Sequence, residues 1–403
     1  MVPAGPMHRT LHQDERSEAL RRKYVRALGA VGLAAAMFAA AGCQDAGGGG
    51  DATGGDSECG GKIAIFGAFS GDNAGLVIPS LNGAKLAIKQ HNAANPNCQV
   101  TMQEFDTQGD PAQATPIANQ VAGDASFLGV IGGHFSGESD ATMPVYEAAG
   151  LVMVSPSATR TDLTQKGNKS FFRVVGNDGT QAGAVSTYLK AQNAQKVFMI
   201  DDGSAYGAGI TAELQKNLGS AIAGKDKIQE RQSQFDATIS KIEAAQADFV
   251  FYGGYTREAA PLVRQMRAAG VEAKFVGPDG LYDPAFPQGA SGGAESAIIT
   301  CPCLPADKAG GTFSADYQTE YGQAPGSYGA EGFDAATIFA NAFKDGKKTR
   351  ADILAYVKAY DKEGVSKYIK FAENGDVDPT RVVIWAYQIK GTTFEPLQEL
   401  KLS

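Results

Sequence analysis

The chain has 403 residues, a formal net charge of −8 at pH 7, and 43% hydrophobic residues. This length is enough for two or three domains' worth of core. The negative charge and the lack of a long basic patch argue against a nucleic-acid partner. The composition also shows no coiled-coil or collagen-like repeat.

Residues 1–42 are predicted to be an export signal rather than part of the fold. A basic segment at residues 21–26 precedes residues 27–41, an apolar run of small residues too short to cross a bilayer comfortably. The run ends in AAGC at residues 40–43, which resembles a bacterial lipobox, so we predict a lipidated Cys43. The alternatives are a plain secretory signal with a chance cysteine and, for the route, twin-arginine export.

Residues 43–61 are predicted to be a flexible tether, because they are mostly Gly, Asp, Ser and Ala. A lipidated cysteine followed by such a tether would hold a folded domain just outside a membrane. One acyl chain binds membranes only marginally, so stable anchoring requires several chains on Cys43.

The rest of the chain alternates short β-rich runs with helical patterns, which indicates an α/β fold with parallel sheets and helices on both faces. There are too many strands for one core, so we predict two doubly wound lobes with a change of lobe near Asn177. The predicted strands lie at residues 62–66, 100–105, 127–131, 151–154, 197–200, 249–252, 275–276 and 298–299.

Two loops that follow predicted strands are rich in glycine and hydroxyl side chains, at residues 132–139 and 155–159. Parallel strands would bring both loops to the same sheet edge, where open α/β sheets bind ligands. Hydroxyls and helix N-terminal amides suit a small anion such as a carboxylate. The alternative interpretation is that both are ordinary helix caps and turns.

Four cysteines follow Cys43, an even number that favours disulfides in an exported chain. Cys59 and Cys98 each precede a strand at the same end of a parallel sheet, which predicts a bond between them. Cys301 and Cys303 either close on each other or stay reduced. With only four histidines in the chain we predict no metal site.

Four segments together resemble the bacterial leucine/isoleucine/valine-binding proteins, the type I substrate-binding components of amino-acid ABC transporters. The resemblance extends over residues 62–390. The segments are GAFSG at 67–71, SPSATRTDLTQKG at 155–167, FYGGYTREA at 251–259 and GPDG at 277–280.

The resemblance implies two lobes joined by three crossovers, near Asn177, Cys303 and Pro379, with the ligand in the cleft between the lobes. It also implies a monomer without a cofactor, which binds an amino acid and delivers it to a permease. The implied lobes comprise residues 62–177 with 303–378, and residues 178–302 with 379–403.

The resemblance assigns the ligand's α-carboxylate to the two polar loops. Ser136 is the matching serine of the first loop. In the second loop Ser157 and Ala158 match through backbone groups, and Thr159 matches through its hydroxyl. We therefore expect these four residues to lie together at the cleft.

The resemblance also assigns contacts to the ligand's other groups. Asp279 matches the acidic residue that pairs with the α-ammonium, where the family usually has Glu. Tyr206 matches the ring over the ligand and Tyr255 the aromatic near the amine. Leu76 stands where the apolar cap is often Trp. The changes at Asp279 and Leu76 therefore affect which ligand, and what size of ligand, the site would bind.

A disulfide known in some members of this family would need cysteines at Gly109 and Phe135, and this chain has neither.

The leading hypothesis is a binding lipoprotein for branched-chain or similar aliphatic amino acids. A sensory receptor of the same fold for amides, urea or another metabolite is the alternative. An enzyme is not predicted, because no nucleophile–base pair, Walker loop or dinucleotide fingerprint is found.

Overall fold

The computed structural model describes residues 59–402, and the predicted signal peptide, Cys43 and most of the tether lie outside the described residues. The first part of the chain alternates strands and helices. These elements are β1 (Cys59–Gly67), α1 (Ala74–Ala94), β2 (Cys98–Asp106), α2 (Pro111–Gly123), β3 (Phe127–Ile131), α3 (Ser136–Ala148), β4 (Met153–Ser155) and β5 (Phe171–Arg173). They form a parallel sheet in the order β2-β1-β3-β4-β5.

The middle of the chain repeats this pattern. Its elements are α4 (Asp178–Ala191), β6 (Val197–Asp201), α5 (Ala205–Leu218), β7 (Ile222–Lys227), α6 (Asp236–Ala244), β8 (Phe249–Gly253), α7 (Thr256–Ala268), β9 (Lys274–Gly277), α8 (Ala285–Gly289) and β10 (Ile298–Cys301). The five strands pair in parallel, and helices cover the sheet, which defines the C-terminal lobe.

The last part of the chain visits both lobes. Its elements are α9 (Phe313–Tyr321), α10 (Gly329–Lys344), α11 (Arg350–Lys358), β11 (Asp361–Glu363), β12 (Tyr368–Lys370), β13 (Ile384–Lys390) and β14 (Thr393–Leu400). Helix α10 packs on α1 and on β1, so α9 to β12 complete the N-terminal lobe. Strands β13 and β14 join the C-terminal sheet as antiparallel strands, in the order β14-β13-β10-β9-β8-β6-β7.

The sequence-predicted architecture is confirmed: two sheets of mainly parallel strands, each between layers of helices. The chain passes between the sheets at residues 174–177, 302–312 and 371–383, segments that include or adjoin the three predicted crossovers. Apolar side chains fill both faces of each sheet, which gives every lobe its own core. No helix among residues 59–402 has the length and apolarity needed to cross a membrane.

The first strand begins earlier than predicted, and residues 59–61 therefore belong to β1 rather than to the tether. Cys59 lies directly opposite Cys98 in the parallel pairing of β1 with β2, and a disulfide joins the two residues as predicted. This crosslink holds the glycines that follow Cys59 in the sheet despite their low strand propensity. The structure also joins Cys301 to Cys303, the pairing that the sequence left open.

Candidate ligand-binding site

A cavity of about 10 Å3 lies between the two lobes, beyond the carboxyl ends of the parallel strands. The structure brings together around it all the predicted ligand contacts except Ala158, which is buried between two of them. Four residues without a predicted role complete the wall. The lining residues are Leu76, Val77, His134, Phe135, Ser136, Ser157, Thr159, Tyr206, Tyr255, Asp279 and Tyr328.

The first polar loop is shorter than the sequence suggests, because Ser136 already lies in the first turn of α3. The carboxylate of Glu138 accepts a hydrogen bond from the Phe135 amide and another from the Thr107 hydroxyl. The helix therefore begins at residue 136, inside the predicted loop at residues 132–139. Burial raises the pKa of Glu138 to about 7.

His134 supports this loop from behind. Its Nδ1 lies 2.7 Å from the carbonyl oxygen of Phe66, and its Nε2 lies 3.2 Å from Oγ of Ser80. Burial lowers the pKa of His134 to about 4, so the ring is neutral at physiological pH. The histidine therefore contributes shape and hydrogen bonds to the site, and no positive charge.

The second polar loop is tied to the first by several hydrogen bonds. Ser155 Oγ donates to the Gly133 carbonyl at 2.7 Å and accepts from the Ala158 amide at 2.9 Å. The hydroxyl of Ser157 donates to the His134 carbonyl at 2.9 Å. In this closed conformation the amide of Ala158 is thus used inside the loop, whereas the resemblance assigns backbone groups here to the ligand.

Thr159 and Ser136 carry the hydroxyls that remain for a ligand. The buried Thr159 hydroxyl lies next to the Asp178 carboxylate and has no other hydrogen-bond partner among the described residues. Ser136 Oγ accepts one hydrogen bond, from the Arg160 amide at 3.2 Å, and its own proton is free to be donated. Both groups lie at the cavity wall, with Ser136 at the positive end of α3.

Asp279 follows β9 in a short 3-10 turn and faces the loops from the C-terminal lobe. The Tyr206 hydroxyl donates to its Oδ1 at 2.6 Å, and the Tyr328 hydroxyl donates to its Oδ2 at 2.6 Å. Burial raises the pKa of Asp279, and the two phenols oppose that effect by stabilising the carboxylate. The Asp279 site can therefore accept a cation.

A second buried carboxylate, Asp178, lies next to this group at the start of α4. Apart from the nearby Thr159 hydroxyl, no hydrogen-bond donor among the described residues reaches its oxygens. Burial and the negative charge of Asp279 raise the pKa of Asp178 to about 8, and the neighbouring Thr159 hydroxyl opposes the shift. Asp178 was not a predicted site residue, because the sequence indicated only a change of lobe near Asn177.

Aromatic rings close the cavity on the side of the cleft mouth. The ring of Tyr255 lies 5.4 Å from that of Phe135 and 5.1 Å from that of Tyr206, measured between centroids. The Tyr255 amide donates to Asp202 at 2.9 Å, which fixes the start of α7. Phe135 and Tyr328 were missed as site residues, since an aromatic near a loop is an ordinary core residue in a single sequence.

Metal binding has no support among residues 59–402, where no cluster of three or more His, Cys, Asp or Glu side chains is arranged to hold an ion. Asp279, the acid among the described residues that line the cavity, acts as a hydrogen-bond acceptor. Of the described residues that line the cavity, none is Lys or Arg. An anionic group would therefore be bound by hydroxyls and helix-end amides.

Comparisons with known proteins agree with this architecture. The leucine-specific-binding protein of Salmonella typhimurium is 30% identical over 343 residues, which cover 82% of this chain and 92% of the relative. The Leu/Ile/Val-binding protein of Escherichia coli is 28% identical over 341 residues, with 82% and 92% of the two chains covered.

Solved structures show the same fold. The crystal structure of the branched-chain amino acid transporter substrate-binding protein of Streptococcus pneumoniae in complex with isoleucine has a TM-score of 0.77 at 24% identity, covering 84% of this chain and 99% of that one. The sequence model of the periplasmic binding protein family matches residues 61–392. This match spans most of the chain and both lobes, so the chain belongs to the periplasmic binding protein family.

Proposed function

We propose that this chain is the extracytoplasmic substrate-binding component of an ABC transporter and binds a branched-chain or similar aliphatic amino acid between its lobes. The leucine-specific and Leu/Ile/Val-binding proteins described above support the ligand class. The observation that carries the proposal is the arrangement of polar groups across the cleft. Hydroxyls and a helix N-terminus lie on one side, and the buried carboxylate of Asp279 lies on the other.

The α-carboxylate of the ligand is placed at the N-terminal lobe. Ser136 and Thr159 offer hydroxyl donors, and the positive end of α3 favours a negative group. Because no full positive charge is needed, the carboxylate loses water without forming a buried ion pair there. The amides of Ser157 and Ala158 would have to exchange their bonds to Ser155 for bonds to the ligand.

The α-ammonium of the ligand is placed at Asp279. This carboxylate is already held by two phenols, so it is oriented before the ligand arrives. A charge-assisted hydrogen bond of this kind contributes about 1.5–3 kcal/mol. Asp279 has a shorter side chain than the glutamate usual in the family, and the two tyrosines compensate by fixing its position.

The aliphatic side chain of the ligand is placed against Leu76, Val77, Phe135 and Tyr255, which supply the apolar part of the wall. Burial of such a side chain adds about 25 cal/mol per Å2 of apolar surface. The cavity in the closed form holds only about 10 Å3, which is about the size of one water. The lobes must therefore move apart to admit an amino acid and close again around it.

Binding of the ligand is tested by calorimetric titration with a panel of amino acids, amides and sugars. We expect leucine, isoleucine or valine to bind and sugars not to bind. Ser136→Ala and Asp279→Ala should each weaken binding at least tenfold, which is about 1.4 kcal/mol. Matched controls are Ser126→Ala and Asp307→Ala at exposed positions. If both site variants bind like the wild type, the site assignment is wrong.

The proposal extends to anchoring and partners. Cys43 would carry the lipid, the tether would hold a monomeric binding domain outside the cell membrane, and a permease would recognise its closed form. Phase partitioning of the full chain in detergent tests the anchor. The wild type is expected in the detergent phase and Cys43→Ala in the aqueous phase. Equal partitioning of the two would refute lipidation at this cysteine.

A further inference from the structure

Phe135 lies between two cavities of very different size. The inner one is the candidate site of about 10 Å3, and the outer one, at the mouth of the cleft, has a volume of about 450 Å3. Of residues 59–402, only Phe135, Tyr206 and Tyr255 line both. We call these three rings the partition between the cavities. The Tyr206 hydroxyl is hydrogen-bonded to Asp279, so Phe135 and Tyr255 are the rings of the partition that are free to move.

The partition is built from both lobes. Phe135 precedes α3 in the N-terminal lobe, and Tyr255 precedes α7 in the C-terminal lobe. Their rings meet at 76° with centroids 5.4 Å apart, an edge-to-face contact that closes the gap between the lobes. Phe135 is only 5% exposed, and it packs with Ala68, Leu76 and Val77.

Gly109 makes room for the Phe135 ring. A Cβ atom at Gly109 would come within 3.2 Å of Cε2 of Phe135, and the backbone φ of 77° also favours glycine there. The absence of a side chain at Gly109 therefore leaves space for the Phe135 ring. The start of α3 fixes its backbone, because the Phe135 amide donates to Glu138 at 3.3 Å.

We infer that the Phe135–Tyr255 pair limits the length of the ligand side chain and so selects small and branched aliphatic amino acids over long or aromatic ones. This inference rests on the proposed function, because it supposes that an amino acid binds with its charged groups at Ser136 and Asp279. Once the lobes have closed around a ligand, a side chain that reaches past the two rings would have to part them and hold the lobes open. Truncating Phe135 joins the cavities and gives such a side chain space.

The lining of the outer cavity disfavours an apolar side chain that extends past the partition. Its wall carries charged groups, among them Asp72, Asp110, Glu230 and Arg257, and Arg257 pairs with Asp72 across the cleft at 2.8 Å. An apolar side chain that passed the partition would disturb this ion pair and its water. The two rings therefore separate the apolar part of the inner wall, at Leu76 and Val77, from a mouth lined by charged groups.

The test measures dissociation constants for valine and phenylalanine by calorimetry on wild type, Phe135→Ala and Phe135→Leu. In the wild type we expect phenylalanine to bind at least 100-fold more weakly than valine. The ratio should fall at least tenfold in Phe135→Ala and by a smaller factor in Phe135→Leu, which keeps most of the packing. Phe69→Ala is the matched control, since Phe69 lies beside the same apolar cluster but lines neither cavity.

The outcomes separate this inference from the proposed function. Valine binding with the same ratio in wild type and in both Phe135 variants overturns the inference alone. Failure of the wild type to bind any amino acid overturns the proposed function and the inference with it. Thermal melting shows which variants are folded. If Phe135→Ala does not fold, the valine-to-phenylalanine ratio of Phe135→Leu tests the inference.

Discussion

Replacing Tyr328 by phenylalanine tests whether a single hydrogen bond between the lobes sets ligand affinity. The Tyr328 hydroxyl, in the N-terminal lobe, donates at 2.6 Å to Oδ2 of Asp279, in the C-terminal lobe. A hydrogen bond to a charged group contributes about 1.5–3 kcal/mol. Because the bond joins the lobes, it favours the closed form that holds the ligand, and its loss should weaken binding roughly 10- to 150-fold.

A second effect of the substitution has the same direction. The Tyr328 phenol lowers the pKa of Asp279, which burial raises, so its removal favours the neutral carboxyl. A neutral carboxyl is a poorer partner for an ammonium group. Both effects therefore predict weaker binding at neutral pH, and the second predicts that the loss grows as the pH falls.

Calorimetric titration with the best-bound amino acid, repeated at several pH values, measures the loss in Tyr328→Phe. The control is Tyr317→Phe, because the buried Tyr317 donates its hydroxyl to the Pro79 carbonyl at 3.2 Å within one lobe. The control should bind normally even if it is somewhat less stable. Wild-type affinity in Tyr328→Phe would refute the argument that this contact couples closure to binding.

Three predictions concern stability. Replacing Cys59 and Cys98 by serine should lower the free energy of unfolding by about 4 kcal/mol, because the bond closes a loop with a sequence separation of 39, and unchanged urea denaturation would contradict this. Burial raises the pKa of Asp178 to about 8 from its usual 3.8, so wild type loses stability as the pH rises through that window. The melting temperature of Asp178→Asn, relative to that of the wild type, should therefore rise from pH 4 to pH 8. A difference that stays constant over this range would refute the prediction. Gly83→Ala should cost about 1–3 kcal/mol in urea denaturation, because its Cβ would meet the Gly329 carbonyl oxygen at 2.0 Å, and a more stable variant would show that α1 and α10 adjust freely.

The fold was predictable because its signals are local and repeated. Each buried strand is a short apolar run, and each crossover helix follows at the spacing that parallel sheets require. Pro79 and Pro116 lie inside α1 and α2 although proline disfavours helix interiors, and both helices continue past them. The disulfide between Cys59 and Cys98 followed from the same register argument.

Part of the candidate site could not be predicted, because its residues depend on contacts made far along the chain. Tyr328 reaches Asp279 from a backbone φ of 57°, a conformation that a bulky residue rarely adopts and that no local pattern in the sequence indicates. Asp178 has the local features of a helix start, and only burial beside Asp279 distinguishes it. Phe135 meets Tyr255 across the cleft, from the other lobe.

The distribution of charge between the lobes argues for a zwitterionic ligand over a simple carboxylate. An anion held by Ser136 and Thr159 would satisfy the N-terminal lobe, but closure would then bury Asp279 next to it without a compensating cation. A lone amine would satisfy Asp279 and leave the hydroxyls and the positive end of α3 without an acceptor. A molecule that carries both groups on one carbon atom removes both costs at once, and an α-amino acid is such a molecule.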